Sequence, residues 1–284
     1  MGRSPSGETP AGFFAFGYPA GMKRVLALVL AAGALLRLEA ALAAPETASP
    51  APLVKPPADW VGESFRWEVR YAGVLGGYAW GRVEADPGSA ARVRILGGAE
   101  NAPWYASVYT LQDRVVSSWD PARGSVRYEC VFREGGFWQD LDMRFAPGGI
   151  SVWHRQLRSA GWEEWTTPYP AAPGVEDPVS AFFRLRTMDG PLPWVFPVFS
   201  GTKTWPLQVL DAGKEHLEES LLGPVDLQLL EFRTGHDGDL EQRGRFVLAV
   251  TDDVRRIPMR MVVSTKIGPF RADLIAYDPP QAAR

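Results

Sequence analysis

The chain holds one cysteine, Cys130, and three histidines, His154, His216 and His236, and these shortages exclude a good deal of chemistry. One cysteine permits no internal disulfide and, lying deep in the chain, offers no thiol near the N-terminus for a lipid anchor. No histidine stands at a ligand spacing from another, so a metal centre would have to gather carboxylates from distant strands. Neither Gly-x-Ser-x-Gly nor the phosphate-cradling Gly-x-x-x-x-Gly-Lys occurs, and Gly76-Gly77 to Gly81 precedes no helical pattern. The expectation is therefore no catalytic residues, no cofactor and no metal. Excess positive charge is also missing: the formal net charge is -3, with Lys and Arg dispersed, and that is not the footprint of a nucleic-acid binder.

Long apolar runs are scarce as well. Val25–Leu36 falls well short of the ~20 residues a membrane-spanning helix needs. Preceded by Met22-Lys23-Arg24 and followed by the small-residue step Ala41-Leu42-Ala43, it reads as a signal peptide over 22–43 with cleavage after Ala43. Arg37 and Glu39, close to that cut, keep an uncleaved anchor as the alternative. Residues 1–21 have no place in a secretory signal and read as a mis-called extension. Residues 44–60, opened by APETASPAPLVKPP, form a Pro-rich tether. The expected address is export, to the periplasm of a Gram-negative bacterium. Removing residues 1–43 takes away Arg3, Lys23, Arg24 and Arg37 against Glu8 and Glu39, so the remainder is more acidic still.

What remains, 61–280, reads as a single β domain dominated by every-other-residue alternation. In Ser64–Ala72, Phe65, Trp67, Val69 and Tyr71 point one way while Arg66, Glu68 and Arg70 point the other. Gly76-Gly77 suggests the reversal into Tyr78–Glu84. A second hairpin, Val126–Phe145, turns at Gly135-Gly136, which sets Phe132 opposite Gln139, Cys130 opposite Leu141 and Tyr128 opposite Met143 on one apolar face. The reverse face carries Arg127, Glu129, Asp140, Asp142 and Arg144, with Arg127 diagonal to Asp142 and Glu129 diagonal to Arg144. Further strands are expected at Arg92–Leu96, Val108–Leu111, Val115–Trp119, Ile150–Leu157, Trp194–Phe199, Thr204–Ala212, Val225–Arg233 and Arg271–Tyr277. One short helix starts at Asp177-Pro178, with Asp as cap and Pro at the first turn, and is stopped by Gly190-Pro191. Many strands with one helix predict an all-β architecture: a large antiparallel open barrel, roll or sandwich whose helix covers one end.

The last hairpin is the most distinctive. With Asp252-Asp253 as its loop, Leu248 faces Ile257 and Phe246 faces Met259, and Pro258 requires an edge or a bulge. Together with Asp177-Pro178-Val179-Ser180-Ala181 and Leu185-Arg186, the block Thr251-Asp252-Asp253-Val254-Arg255-Arg256-Ile257-Pro258 resembles the exported bacterial domain-of-unknown-function family 3108. Members of that family end in a T-D-D-x-R-R-I-P segment followed by a Gly-containing strand. The resemblance runs roughly from Phe65 to Tyr277 and marks Asp177, Ser180 and Arg186. It implies an address and a construction, since the family has no agreed activity.

The candidate polar cluster is Asp177, Arg186, Asp252, Asp253, Arg255, Arg256 and Arg260. Guanidinium forks there can clamp an anion, or pair with the acids and fix hairpin to helix, and the structural role is preferred. Asp252-Asp253 can act as an acid/base pair, yet neighbouring strand residues face opposite ways and Asp favours turns. Eleven tryptophans can line a cavity, stack on sugars or simply fill a core, and Trp138 and Trp153 fall on a face shared with charges. Three functions follow: a non-catalytic envelope protein binding a lipid or polysaccharide, an assembly factor acting through protein contacts, or an exported hydrolase using Asp252 or Asp253.

Overall fold

The computed structural model describes residues 57–107, 109–234, 245–265 and 268–281. The extension, the signal peptide, most of the tether, Val108 and His236 lie outside the described residues. A turn of 3-10 helix at Pro57–Trp60 precedes the sheet, and Trp60 is buried, so folded structure starts slightly before residue 61.

Fourteen strands form one antiparallel sheet. They are β1 (Ser64–Tyr71), β2 (Val74–Ala85), β3 (Val93–Asn101), β4 (Gln112–Asp120), β5 (Gly124–Glu134), β6 (Phe137–Ala146), β7 (Gly149–Arg158), β8 (Gly161–Tyr169), β9 (Trp194–Phe199), β10 (Thr204–Leu217), β11 (Val225–Thr234), β12 (Phe246–Thr251), β13 (Pro258–Thr265) and β14 (Gly268–Asp278). The only α-helix among the described residues, α1 (Pro178–Arg184), falls between β8 and β9. The spatial order runs β8 back to β1, then β14 back to β9, so β1 pairs with β14 and the two edges are strands consecutive in the chain.

The segment between those edges rolls the sheet up. Glu176 lies beside β9 in a parallel bridge, donating its N–H to Pro197 and accepting from Phe199, while Val175 accepts from the Ser125 N–H at the start of β5. Helix α1 follows at once and packs on β4 and β9 inside the roll. Of the expected open barrel, roll or sandwich, a single rolled, open antiparallel sheet is what forms, with the helix packed inside it.

Alternation explains the lining. Phe65, Trp67 and Val69 of β1 are buried and Arg66 is exposed. The larger apolar cluster joins β1–β3, α1 and β9–β14; a second, under β4–β7, contains Tyr128, Cys130, Met143 and Val152. Each large side chain buried this way stabilises by about 1.5–3 kcal/mol.

The β5–β6 hairpin has the expected register, with Phe132 opposite Gln139, Cys130 opposite Leu141 and Tyr128 opposite Met143. Gly135 takes a positive φ at its tip. On the outer face Arg127 reaches Asp142 at 2.9 Å, but Arg144 also turns to Asp142 rather than to Glu129.

Elsewhere the sequence pattern misplaced the turns. The first hairpin reverses at Ala72-Gly73, both at positive φ, as a two-residue turn demands. Gly77 lies within β2, where a Cβ would come 2.3 Å from the Glu100 carbonyl oxygen. In the last hairpin the loop spans 252–257, so Leu248 pairs with Met261 and Phe246 with Val263 instead of Ile257 and Met259. The register shifts opposite Pro258, where a residue without an N–H cannot continue the ladder. In the described part of the strand expected at Val108–Leu111, residues 109–111, only Leu111 makes a bridge, an isolated one to Glu134. Strand β8 was not anticipated: as an edge strand it is wet on much of both sides and shows little alternation. Helix α1 ends at Arg184, before Gly190-Pro191, because Arg186 and Thr187 donate to the carbonyls three residues back and tighten the last turn.

Candidate functional site

Asp177 caps α1, its Oδ1 accepting from the Val179 and Ser180 N–H groups at 2.8 and 2.9 Å, and Pro178 opens the first turn. Its other oxygen accepts from the Ser117 and Ser125 hydroxyls of β4 and β5. The group is fully enclosed, and burial pushes its carboxyl up against those hydrogen bonds. Beside it, Glu176 takes a 2.6 Å bond from buried Arg184; burial outweighs that guanidinium and raises the Glu176 carboxyl to about 7.

Arg186 makes a different pair. Its fork donates to both Glu63 oxygens at 2.7 and 2.8 Å, its Nε and Nη2 reach the Arg255 carbonyl, and Tyr277 donates to Glu63. The guanidinium lies 4.5 Å from the Trp60 ring centroid. Arg256, at positive φ, donates to the Leu185 and Met188 carbonyls and lies over Trp194, closing the end of the helical segment. Thus Arg186, Arg255 and Arg256 meet beneath the last hairpin. Asp177 sits with serines instead, and Arg260 lies on the other side of the sheet with Glu215 and Asp273.

The adjacent acids divide as well. Asp252 pairs with exposed Lys214. Asp253 Oδ1 accepts from Thr251 and from the Arg255 and Arg256 N–H groups, and Oδ2 from Arg255. Burial opposes its charge, yet the Thr251 and Arg255 bonds hold its carboxyl below the usual value. Glu63, Glu176 and Arg184 were missed in the sequence, because only the pairing of chain ends and the roll of the sheet give them partners.

A solvent-open groove of about 580 Å³ lies on the outer face of β5–β8, lined by Arg127, Asp142, Arg144, Ser151, Trp153 and Thr166 among others. Strand alternation aims these side chains outward. Arg127 grips Asp142 with two bonds near 3 Å and also pairs with Glu129. Burial disfavours the Asp142 carboxylate, but Arg127 and Arg144 overcome this and keep it below its ordinary pKa, so it serves as an acceptor and not as an acid. A half-buried indole beside fixed donors and acceptors can hold a flat, hydroxyl-bearing molecule. Trp138 stands on this same outer face, opposite Arg133 next to the β5–β6 tip.

Among the described residues no group of three His, Cys, Asp or Glu side chains is arranged to hold a metal ion, and no helix is long and apolar enough to cross a membrane.

No curated protein matches the chain. One solved structure, of a β-barrel-like protein of the domain-of-unknown-function family DUF1849 from Brucella abortus, is similar at TM-score 0.53 and 11% identity, over 78% of this chain and 99% of that one. That likeness concerns the fold alone. The sequence profile of proteins of unknown function DUF3108 matches residues 66–275, from β1 through the last hairpin into β14, and the chain belongs to that family.

Proposed function

We propose that this chain is an exported, non-catalytic envelope protein that binds a polysaccharide on the outer face of β5–β8. The groove carries the reading: Trp153 contributes an indole to its wall while Arg127, Asp142, Arg144, Ser151 and Thr166 supply the hydrogen-bonding groups a sugar requires. A lipid lodged beside α1 is less well supported, since Phe183 there packs about 6 Å from the rings of Trp60 and Phe65. Hydrolysis by Asp253 is disfavoured because both its oxygens are already engaged within the loop. Export rests on the leader, which N-terminal sequencing of the cell-derived protein tests.

Binding is tested by presenting the protein to immobilised envelope polysaccharides and, in parallel, to lipid vesicles. Retention on polysaccharide, weakened about tenfold by Trp153→Ala at unchanged melting temperature, is expected. Retention on vesicles alone refutes the reading. Discrete protein crosslinks at Trp138 without glycan retention favour an assembly role instead.

A further inference from the structure

Resting on that reading, we infer that the polysaccharide is held as a linear chain, several sugar units at once, along an aromatic row running from the groove onto the β3–β4 loop. Asp140, on the groove wall, pairs with Arg133 at 2.7 Å, and the Arg133 guanidinium lies 5.6 and 5.7 Å from the rings of Trp138 and Trp162. Those two indoles are neighbours at 6.3 Å. From there the row continues through Gly135, which accepts the Trp138 indole N–H and against which Tyr109 packs so closely that a Cβ would meet its ring at 2.7 Å. Tyr105 lies 6.4 Å from Tyr109, and Trp104 5.3 Å from Tyr105.

Three properties suit this row to a sugar polymer. Within its two parts, Trp104–Tyr105–Tyr109 and Trp138–Trp162, the centroid steps of 5.3 to 6.4 Å are close to the length of one pyranose ring. Two of its exposed members are fixed: the Trp104 indole N–H is bonded to the Leu75 carbonyl and that of Trp138 to Gly135, so both rings are preorganised with their polar atom already satisfied. Guanidinium and carboxylate alternate beside it, through Arg133 and Arg155 with Asp140 and Arg155 with Glu164, giving donors and acceptors for hydroxyls. Trp104, Trp138 and Trp162 are 57%, 41% and 38% exposed, whereas the large exposed apolar side chains described on the β9–β14 half are Leu221, Val254 and Ile275, none aromatic.

Successive weak stacking contacts on one polymer add through effective concentration, so affinity must depend on length. The experiment titrates the mature chain with length-fractionated cell-wall glycan strands, cello-oligomers and alginate oligomers, from dimer to octamer, by calorimetry. For the series that binds, affinity is expected to climb about a hundredfold across the range. Trp104→Ala and Trp138→Ala should flatten the climb while leaving dimer affinity unchanged, Trp104→Phe should restore most of it, and Trp153→Ala should weaken every length alike. A dimer bound as tightly as the octamer, or a length dependence untouched by Trp104→Ala and Trp138→Ala, overturns the row while the groove reading stands. Binding of no oligomer in any series overturns both.

Discussion

Replacing Arg186 by methionine isolates the contact that ties the N-terminal turn, the helical segment and the last hairpin together. The side chain is 2% exposed and its partner Glu63 1%. Methionine keeps the aliphatic packing under Trp60 but removes two bonds to Glu63 and two to the Arg255 carbonyl, leaving the buried carboxylate only the Tyr277 hydroxyl. Breaking one side of a buried pair costs about 3–5 kcal/mol, which lowers the melting temperature of a domain this size by on the order of 10 °C. Glu63→Gln strands the guanidinium and should cost a similar amount. Because the penalty in each single variant is mostly an uncompensated charge, the Glu63→Gln/Arg186→Met double variant should recover at least ~2 kcal/mol relative to the summed singles. Urea unfolding of the four proteins at neutral pH measures the cycle. Single variants costing under ~1 kcal/mol, or a double variant equal to the sum, would refute the assignment of this pair as the tie.

Burial raises the Glu176 carboxyl to about 7 from an ordinary 4.5. The folded state therefore holds that proton more tightly than the unfolded chain, and the group's contribution to stability is best below pH 4.5, falls as pH climbs towards about 7, and is flat above. The fall is roughly 3 kcal/mol, and Glu176→Gln should remove that share of the slope in unfolding free energies measured from pH 4 to 8. Gly77→Ala drives a Cβ against the Glu100 carbonyl oxygen and Asn101 Cα, so a loss of about 1–3 kcal/mol is expected, whereas Gly136→Ala, with open space around it, should change little. Burial pushes the Cys130 thiol well up, and the folded protein should resist iodoacetamide until denatured; alkylation at equal rates in both states would contradict the β5–β6 register.

Local chemistry was legible and long-range pairing was not. Gly135-Gly136 between two alternating runs fixed one hairpin, and Asp177-Pro178 fixed the helix start, because both signals are complete within a few residues. The last hairpin misled because its loop is held by Asp253 bonds to backbone and its strand bulges at Pro258, and each shifts the count without altering composition. Asp177 and Arg186 stood out, but their partners did not. Ser117 and Ser125 are 60 and 52 residues away, and Glu63 is 123, so only the topology reveals them. The groove was half visible: Trp153 among charges was noted, while the concavity depends on the curl of four strands.

The pairing of the first strand with the last sets a timetable for synthesis. Ser64 meets Asp278 side by side, so one flank of β1 has no neighbour until β14 has been translated. Contacts so distant in sequence slow assembly and leave a sticky strand waiting, a condition in which a holding chaperone has most to offer. The same adjacency brings the beginning and end of the domain within reach of a short linker, so a circular permutant reopened between β8 and β9, the two edges that do not pair with each other, would match every strand with its chain neighbour and should fold without that wait.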